Sequence, residues 1–413
     1  MQEQVITLAT PVFIALIVLE MILAWRRGEA RFHFSDTLNS VGLGILSQVS
    51  AAWMKFLLIG IYAYVAQHFS LFKLPDTWWV WLAGLLAYDF LYYWLHRSGH
   101  EVAVLWAAHV VHHQSERYNL TTALRQTSSG PLLSWIFYLP LALLGVPLNV
   151  FIALSLIDLL YQFWVHTELI GKLGWFDRVF VSPSNHRVHH ATNDIYLDKN
   201  YGGILILWDR LFGTFIEELD QHNVVYGTRS PLRSWNPIKA NLEVYQAILR
   251  QSKHCSDWRD KLRLWIKHPG WQPLAVAQQF PHAEFILHRP HFEPALTTRW
   301  KWYCGLQFIS IMLATTHFLA VHQQISALNA IGYGCWITVG LFTIGGLTEG
   351  NKKFLLLEAV RLITSAAVVL GTGQWLGEFA LSTMLQAGII GALVASSLSL
   401  LTLNKPDLNP LIE

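Results

Sequence analysis

Residues 77–100 read TWWVWLAGLLAYDFLYYWLHRSGH. An apolar run long enough to cross the ~30 Å hydrocarbon core of a bilayer leads directly into two histidines four apart, His96 and His100. Helical positions three and four apart share a face, so both imidazoles leave the end of a membrane segment in one direction. Two further arrays follow, His109-Val-Val-His112-His113 and His186-Arg-Val-His189-His190, with a lone His166 between them in Trp164-Val-His-Thr-Glu168. Each array can aim two or three imidazoles at one point. Imidazole suits iron, copper, zinc and nickel. Nine such ligands are too many for one ion, so the pattern calls for a dinuclear site. A lone histidine on an apolar face is usually a satisfied core residue, but grouped arrays argue against that here. The others of the 19 histidines are scattered and take no metal role.

Composition fits a membrane protein. Of 413 residues, 53% are hydrophobic and only 14% are charged, against about 25% charged in soluble domains. A net charge of +2 gives no reason to expect nucleic acid as a partner. Three cysteines, odd in number and widely spaced, make no disulfide framework or zinc motif. The 19 tryptophans and 14 tyrosines suit anchors at the membrane–water interface. The first apolar run, Ile6 to Trp25, has no basic region before it and no small-residue cleavage site, so it reads as a retained helix. Further apolar stretches lie near 40–66 and 77–95, and a pair near 131–145 and 148–165 is hinged at Gly145-Val-Pro147. Four more lie near 303–321, 326–347, 354–371 and 378–402.

Charge sets the orientation. Arg26, Arg27 and Arg31 follow the first helix, and Lys352 and Lys353 separate the seventh from the eighth, whereas the loops 67–76, 322–325 and 372–377 carry only Lys73. By the positive-inside rule the first group is cytosolic. Alternate threading then puts 96–130, 166–302 and the C-terminus in the cytosol, with 131–165 short enough for a shallow hairpin. The expected fold class is all-α, a polytopic integral membrane protein of about 7–9 membrane helices with a cytosolic histidine-rich cap. Its expected regions are N-terminal membrane helices (1–76), a catalytic region (77–230), a cytosolic cap or linker (231–300) and a C-terminal membrane bundle (301–413).

Several polar residues surround the arrays. Asp89 lies seven residues before His96, close to two turns, and a carboxylate inside a membrane segment is a functional hypothesis by default. It reads as the acceptor that sets the tautomer of a ligating imidazole, or as a ligand. Asp158, Gln162 and His166 form an i, i+4, i+8 stripe aimed at the same site, the alternative being an interhelical hydrogen bond remote from it. Glu101 either serves the site or pairs with a nearby arginine. Arg97 and Arg187 hold equivalent places in two arrays, with Asp194, Asp198 or a lipid head group as candidate partners. His100 and His109 would face opposite ways on one straight helix. The chain must bend between them, yet 101–108 contains neither Pro nor Gly.

A redox-capable, all-imidazole metal pair next to lipid suggests oxygen chemistry. Zinc favours closed four-ligand sites, whereas iron with open positions activates O₂. At the membrane boundary such a site attacks a C–H bond of an acyl, alkyl or sterol chain.

The order HxxxH, HxxHH, isolated His, HxxHH resembles the fatty acid hydroxylase and sterol desaturase superfamily of membrane di-iron enzymes. Residues 106–127 (WAAHVVHHQSERYNLTTALRQT), YQFWVHTELIGKLG from Tyr161, and NHRVHHATNDIYLDKNYGGILILWDRLFGTF from Asn185 to Phe215 resemble more narrowly the alkylglycerol monooxygenase family. The helices after residue 300 fit it too. The resemblance implies a di-iron cap whose nine ligands are His96, His100, His109, His112, His113, His166, His186, His189 and His190. It also implies hydroxylation of the alkyl carbon next to the ether oxygen of an alkylglycerol lipid, with O₂ as co-substrate and tetrahydrobiopterin as reductant. Fatty aldehyde is released when the hemiacetal breaks down. Glu101 is the carboxylate to test first near the pterin, with Asp89 as the other candidate catalytic residue. A fatty acid, sterol or carotenoid hydroxylase or desaturase with an external electron donor would carry the same ligands.

A non-catalytic metal-binding or metal-transport protein is a different class. A transporter needs ionisable residues along a path near the midplane, and here only Glu358 and Arg361 interrupt the apolar spans, three apart and able to pair. Lys267-His-Pro-Gly270 resembles the haem-binding stretch of cytochrome b5, but Trp271 follows where a second glycine belongs, so it reads as a turn. The C-terminus carries no retention signal. A cell (inner) membrane is favoured over endoplasmic reticulum, with the metal site facing the cytosol.

Overall fold

The computed structural model describes residues 2–376, 378–401 and 403, and almost all ordered structure in it is helical. In chain order the helices are α1 (Gln2–Arg26), α2 (Phe34–Lys55), α3 (Ile61–His68), α4 (Trp78–Glu101), α5 (Ala103–Ala107), α6 (Leu120–Ala123), α7 (Gly130–Leu144) and α8 (Leu148–Trp164). There follow α9 (Pro183–His189), α10 (Leu207–Phe212), α11 (Pro237–Lys253), α12 (Trp258–Ile266) and α13 (Leu274–Gln279). The last four are α14 (Thr298–Val321), α15 (Ala327–Thr348), α16 (Lys353–Thr372) and α17 (Thr383–Leu400). Among the described residues the only named strands are Gln374–Trp375 and Phe379–Ala380, paired antiparallel.

Among the described residues, five helices are long and apolar enough to cross a membrane: Ala9–Arg26 within α1, and α14 to α17. The pair Phe34–Met54 and Leu57–His68, bent by 44°, adds a sixth if it forms one span. The chain is thus a multi-pass, all-α membrane protein. α4 has 24 residues, and the apolar pair α7 and α8 has 15 and 17. At 1.5 Å per residue α7 and α8 reach roughly 22 and 25 Å, short of the ~30 Å core, as their sequence lengths indicated.

The chain forms two compact units. The first comprises the residues up to 32, 53–232 and 240–291. Its apolar core joins α3, α4, α7 and α8 through aromatic stacking. Tyr62 lies 3.9 Å from Phe151 and Tyr88 lies 4.7 Å from Tyr138. The hinge between α7 and α8 depends on Gly145, whose φ of +82° only glycine adopts readily. A Cβ there would also sit 1.9 Å from the Phe72 carbonyl oxygen. Pro147 then caps α8 with a φ already near −60°.

The second unit comprises 33–52, 233–239 and the residues from 292 onward. Trp300, Phe308, Ile311, Tyr333, Ile337, Leu341 and Leu347 fill its core. Its outer surface is apolar, with Leu306 58% and Leu356 73% exposed, the reverse of a water-soluble bundle and suited to lipid. Inside it, Arg361 donates to both Glu358 carboxylate oxygens at 2.8 and 2.6 Å, forming the pair expected from their spacing.

Candidate metal centre

The end of α4, a 3-10 turn, the segment just after α8 and the short helix α9, all in the first unit, carry the histidines. His96 and His100 sit in the last turns of α4. The helix stops because Val102 takes an extended conformation (φ −120°, ψ 120°), and α5 starts afresh after it. This is the bend that no Pro or Gly encodes. It is held by packing: the Ala103 N–H donates to the Lys267 carbonyl at 2.9 Å, and Ala103 and Ala107 are buried against Ile248, Leu264 and Val276. Lys267-His-Pro-Gly270 is therefore a turn that braces the site. His109 and a 3-10 turn, Val110–His113, carry the second array. His166 lies two residues beyond α8. The third array rides on α9, which Ser182 caps by accepting from the Asn185 N–H at 3.3 Å and which Pro183 opens.

All nine predicted histidines converge, in two groups. His96, His100, His109, His113 and His189 form one; His112, His166, His186 and His190 form the other. Within each group the nitrogens lie within 4.8 Å of one another, and each group could hold a metal ion. The arrays were expected to aim each at one point, and here the structure corrects the reading. In both HxxHH arrays the residues four apart (His109 and His113; His186 and His190) join one group, while His112 and His189 point into the other. Neighbouring side chains leave a helical turn about 100° apart, so adjacent histidines diverge and knit the two groups together. The rings of His113 and His190 stack at 4.3 Å across the boundary.

Nitrogen spacing fits metal binding. Nε2–Nε2 separations are 3.1 Å for His96–His109, His113–His109 and His166–His112, 3.0 Å for His186–His166 and 3.2 Å for His190–His186. Two imidazoles about 2.0–2.1 Å from one ion and roughly 90–110° apart would lie about 2.9–3.4 Å from each other. Backbone carbonyls select the tautomers. His112 Nδ1–H donates to Arg125 O at 2.9 Å, His166 to Gln162 O at 2.7 Å, His96 to Tyr201 O at 2.8 Å and His189 to Lys199 O at 3.1 Å. A neutral imidazole with Nδ1 protonated presents a bare lone pair at Nε2. His112 and His166 therefore face each other lone pair to lone pair, an arrangement that calls for a cation between them. His100 Nε2 and His189 Nε2 are buried without a hydrogen-bond partner, the state of a nitrogen reserved for a metal.

Burial favours the neutral form of eight of these imidazoles. It holds His96, His109, His113, His166, His186, His189 and His190 well below the usual histidine pKa, with the neighbouring imidazoles adding to the effect. It pushes His112 down to about 4. Neutral imidazole is the form that ligates.

The surrounding carboxylates fall differently from expectation. Asp89 does not touch an imidazole. It accepts from the Ile204 N–H at 2.7 Å, the Leu205 N–H at 3.1 Å and Trp208 Nε1 at 2.8 Å, and so anchors the turn after the third array. Gly203 gives this turn room, because a Cβ there would lie 2.7 Å from an Asp158 oxygen and 3.1 Å from an Asp89 oxygen. The carboxylate that does approach an imidazole is Asp198, with Oδ1 3.6 Å from His100 Nδ1. The stripe Asp158–Gln162–His166 does lead to the site: Gln162 donates to Asp158 at 2.7 Å, and its carbonyl holds His166. Glu101 accepts from Arg97 Nε at 2.9 Å and is half-exposed. Arg187 pairs with neither Asp194 nor Asp198; it makes a buried two-bond fork to Glu218 at 2.9 and 2.7 Å.

Sequence reading missed Glu20, Asp209 and Tyr201. Glu20, buried in α1, accepts from Thr167 Oγ1 at 2.5 Å and from the Leu120 N–H at 2.7 Å, which steadies the loop carrying His166. An acid inside an apolar run was the available signal. Asp209 accepts the Tyr201 and Gly202 N–H groups, both at 2.7 Å. It thereby fixes the carbonyl that orients His96, and no sequence pattern marks that contact.

Residues 81–214 match the fatty acid hydroxylase family, a stretch that contains all nine histidines. Fold, histidine groups and this match define the class: a membrane-bound, hydroxylase-type oxidoreductase. The chain is 36% identical over 361 residues to alkylglycerol monooxygenase of Homo sapiens, covering 86% of this chain and 80% of that relative. It is 36% identical over 364 residues to alkylglycerol monooxygenase of Danio rerio, with the same coverage of both chains. Fatty acid hydroxylase vlmA of Lecanicillium sp matches at 29% over 192 residues, 38% of this chain and 50% of that relative. No solved structure matches with significance. The chain belongs to the alkylglycerol monooxygenase family and is a monooxygenase, which sets aside the transporter reading. The histidine groups and the family together point to iron-dependent catalysis.

Proposed function

We propose that the protein cleaves alkylglycerol ether lipids by hydroxylating the alkyl carbon next to the ether oxygen. The nine histidines hold two irons, one in each group. The observation that carries the metal assignment is the pair His112–His166, whose Nε2 lone pairs meet at 3.1 Å while both Nδ1–H groups donate to carbonyls. Bound iron would supply O₂ activation, with tetrahydrobiopterin as the reductant carried over from the family resemblance. The chain's own contribution is positional. Backbone carbonyls hold four imidazoles in the ligating tautomer, burial keeps them neutral, and the α5 bend brings His109 back to His96 and His100.

The metal groups face the cytosol by the charge asymmetry of the loops, and the lipid reaches them from the bilayer. Glu101 is half-exposed beside Arg97 and follows His100 directly, and we assign it to the pterin side. Glu101→Gln then keeps the iron but lowers turnover; unchanged turnover would remove that role. The decisive test is fatty aldehyde release from an alkylglycerol by purified, iron-loaded protein, with and without tetrahydrobiopterin, alongside iron per chain. Pterin-dependent aldehyde with two irons supports the reading. Two irons without aldehyde would move the search to other lipids and another electron donor.

A further inference from the structure

Tyr201 belongs to none of the nine ligands, yet its ring lies against three of them, with centroids 5.3 Å from His100, 5.9 Å from His189 and 6.1 Å from His96. Its backbone is held at both ends: the N–H donates to Asp209 at 2.7 Å and the carbonyl accepts from His96 at 2.8 Å. The residue is fully buried, and its hydroxyl has no hydrogen-bond partner. A buried polar group without a partner costs about 1–3 kcal/mol, so most such groups in native proteins are satisfied. The charged groups acting on this phenol are Asp198, Glu101, Arg97 and Asp209, and none of them hydrogen-bonds it. The hydroxyl is thus an unused donor on a rigid mount, and all three imidazoles around it belong to the five-histidine group.

We propose that the Tyr201 hydroxyl donates a hydrogen bond to the ether oxygen of the bound lipid and so selects ether lipids over plain alkyl chains. The assignment rests on the ether-cleaving reading above. In that reaction the attacked carbon is bonded directly to the ether oxygen, so that oxygen has to bind near the histidines, against which the Tyr201 ring lies. A site built around such a donor discriminates against an analogue that lacks the acceptor, because its own polar group is then left buried and unpaired.

Tyr201→Phe removes one oxygen that makes no hydrogen bond within the protein, so the variant should fold, hold the same iron and be at least as thermally stable as the wild type. The experiment compares wild type and Tyr201→Phe for anaerobic binding of an alkylglycerol and of its isostere with CH₂ in place of the ether oxygen, alongside aldehyde release. The wild type should prefer the ether lipid about tenfold, the worth of one hydrogen bond, and the variant should lose most of that preference. A variant that keeps the preference at equal iron content overturns the assignment, as does a wild type that shows none. Tyr201-dependent preference in a wild type that releases no aldehyde would sustain the donor role and overturn the reaction.

Discussion

Arg187 ties two parts of the four-histidine group together. It stands next to His186 on α9, donates twice to Glu218, and reaches the carbonyls of Thr167 at 3.0 Å and Ile170 at 2.7 Å through one guanidinium nitrogen. Those carbonyls belong to the loop just after His166, so one side chain fastens α9 to that loop. Arg187→Met fills much of the space but leaves the Glu218 carboxylate, only 16% exposed, without its counter-charge. Removing one partner of a buried pair costs about 3–5 kcal/mol, roughly 10²–10⁴-fold in the folding equilibrium. The two carbonyls add to the loss. The variant's midpoint of thermal inactivation in detergent should fall by about 5–15 °C, and elemental analysis should show iron lost as well. Arg187→Lys should recover only part of either, because an ammonium keeps the charge but not the planar fork. Lys172→Met, which breaks the exposed pair with Asp220, serves as the control and should move neither quantity. If Arg187→Met kept both the wild-type midpoint and full iron, the fork would not be what joins α9 to the His166 loop.

Three further outcomes are expected. His112→Ala and His189→Ala each remove a ligand from a different group, so each should abolish aldehyde release and lower bound iron by more than the ~10–100-fold typical of an outer partner; activity surviving both would dismiss the site. Asp89→Ala should cost about 2–5 kcal/mol by stranding two backbone N–H groups and the Trp208 indole, read as a lower unfolding midpoint. A variant of full stability would return Asp89 to an incidental role. Gly145→Ala forces a methyl onto the Phe72 carbonyl at a left-handed φ and should cost more than about 2 kcal/mol, seen as loss of folded protein in detergent extracts; Gly171→Ala, with nothing within 4 Å of the added carbon, should be neutral.

Much of this protein is legible in one dimension. The apolar runs announce the membrane helices because the bilayer accepts little else, and the three arrays announce the candidate metal centre because i, i+4 spacing puts imidazoles on one face. Glu358 and Arg361 were readable as a pair for the same reason. Reading failed where partners are distant in sequence. Asp89 looked like a partner for a ligating imidazole from helical spacing, yet its three donors lie 115 to 119 residues away, at Ile204, Leu205 and Trp208 where the chain enters α10. Arg187 was matched with nearby acids, and its true partner is Glu218.

The sequence by itself determined the membrane setting and marked the nine histidines as candidates, since each is a local property of residue type and spacing, while the class came with the resemblance of its motifs to a known family. Only the tertiary structure decided how those histidines divide five and four, and that Val102 and the Lys267 carbonyl make the bend between His100 and His109. It also decided which carbonyls select the imidazole tautomers, and that Tyr201 is left with a free donor beside the metal groups. Those outcomes depend on contacts across long loops, where packing and hydrogen-bond satisfaction choose among partners that sequence spacing cannot rank.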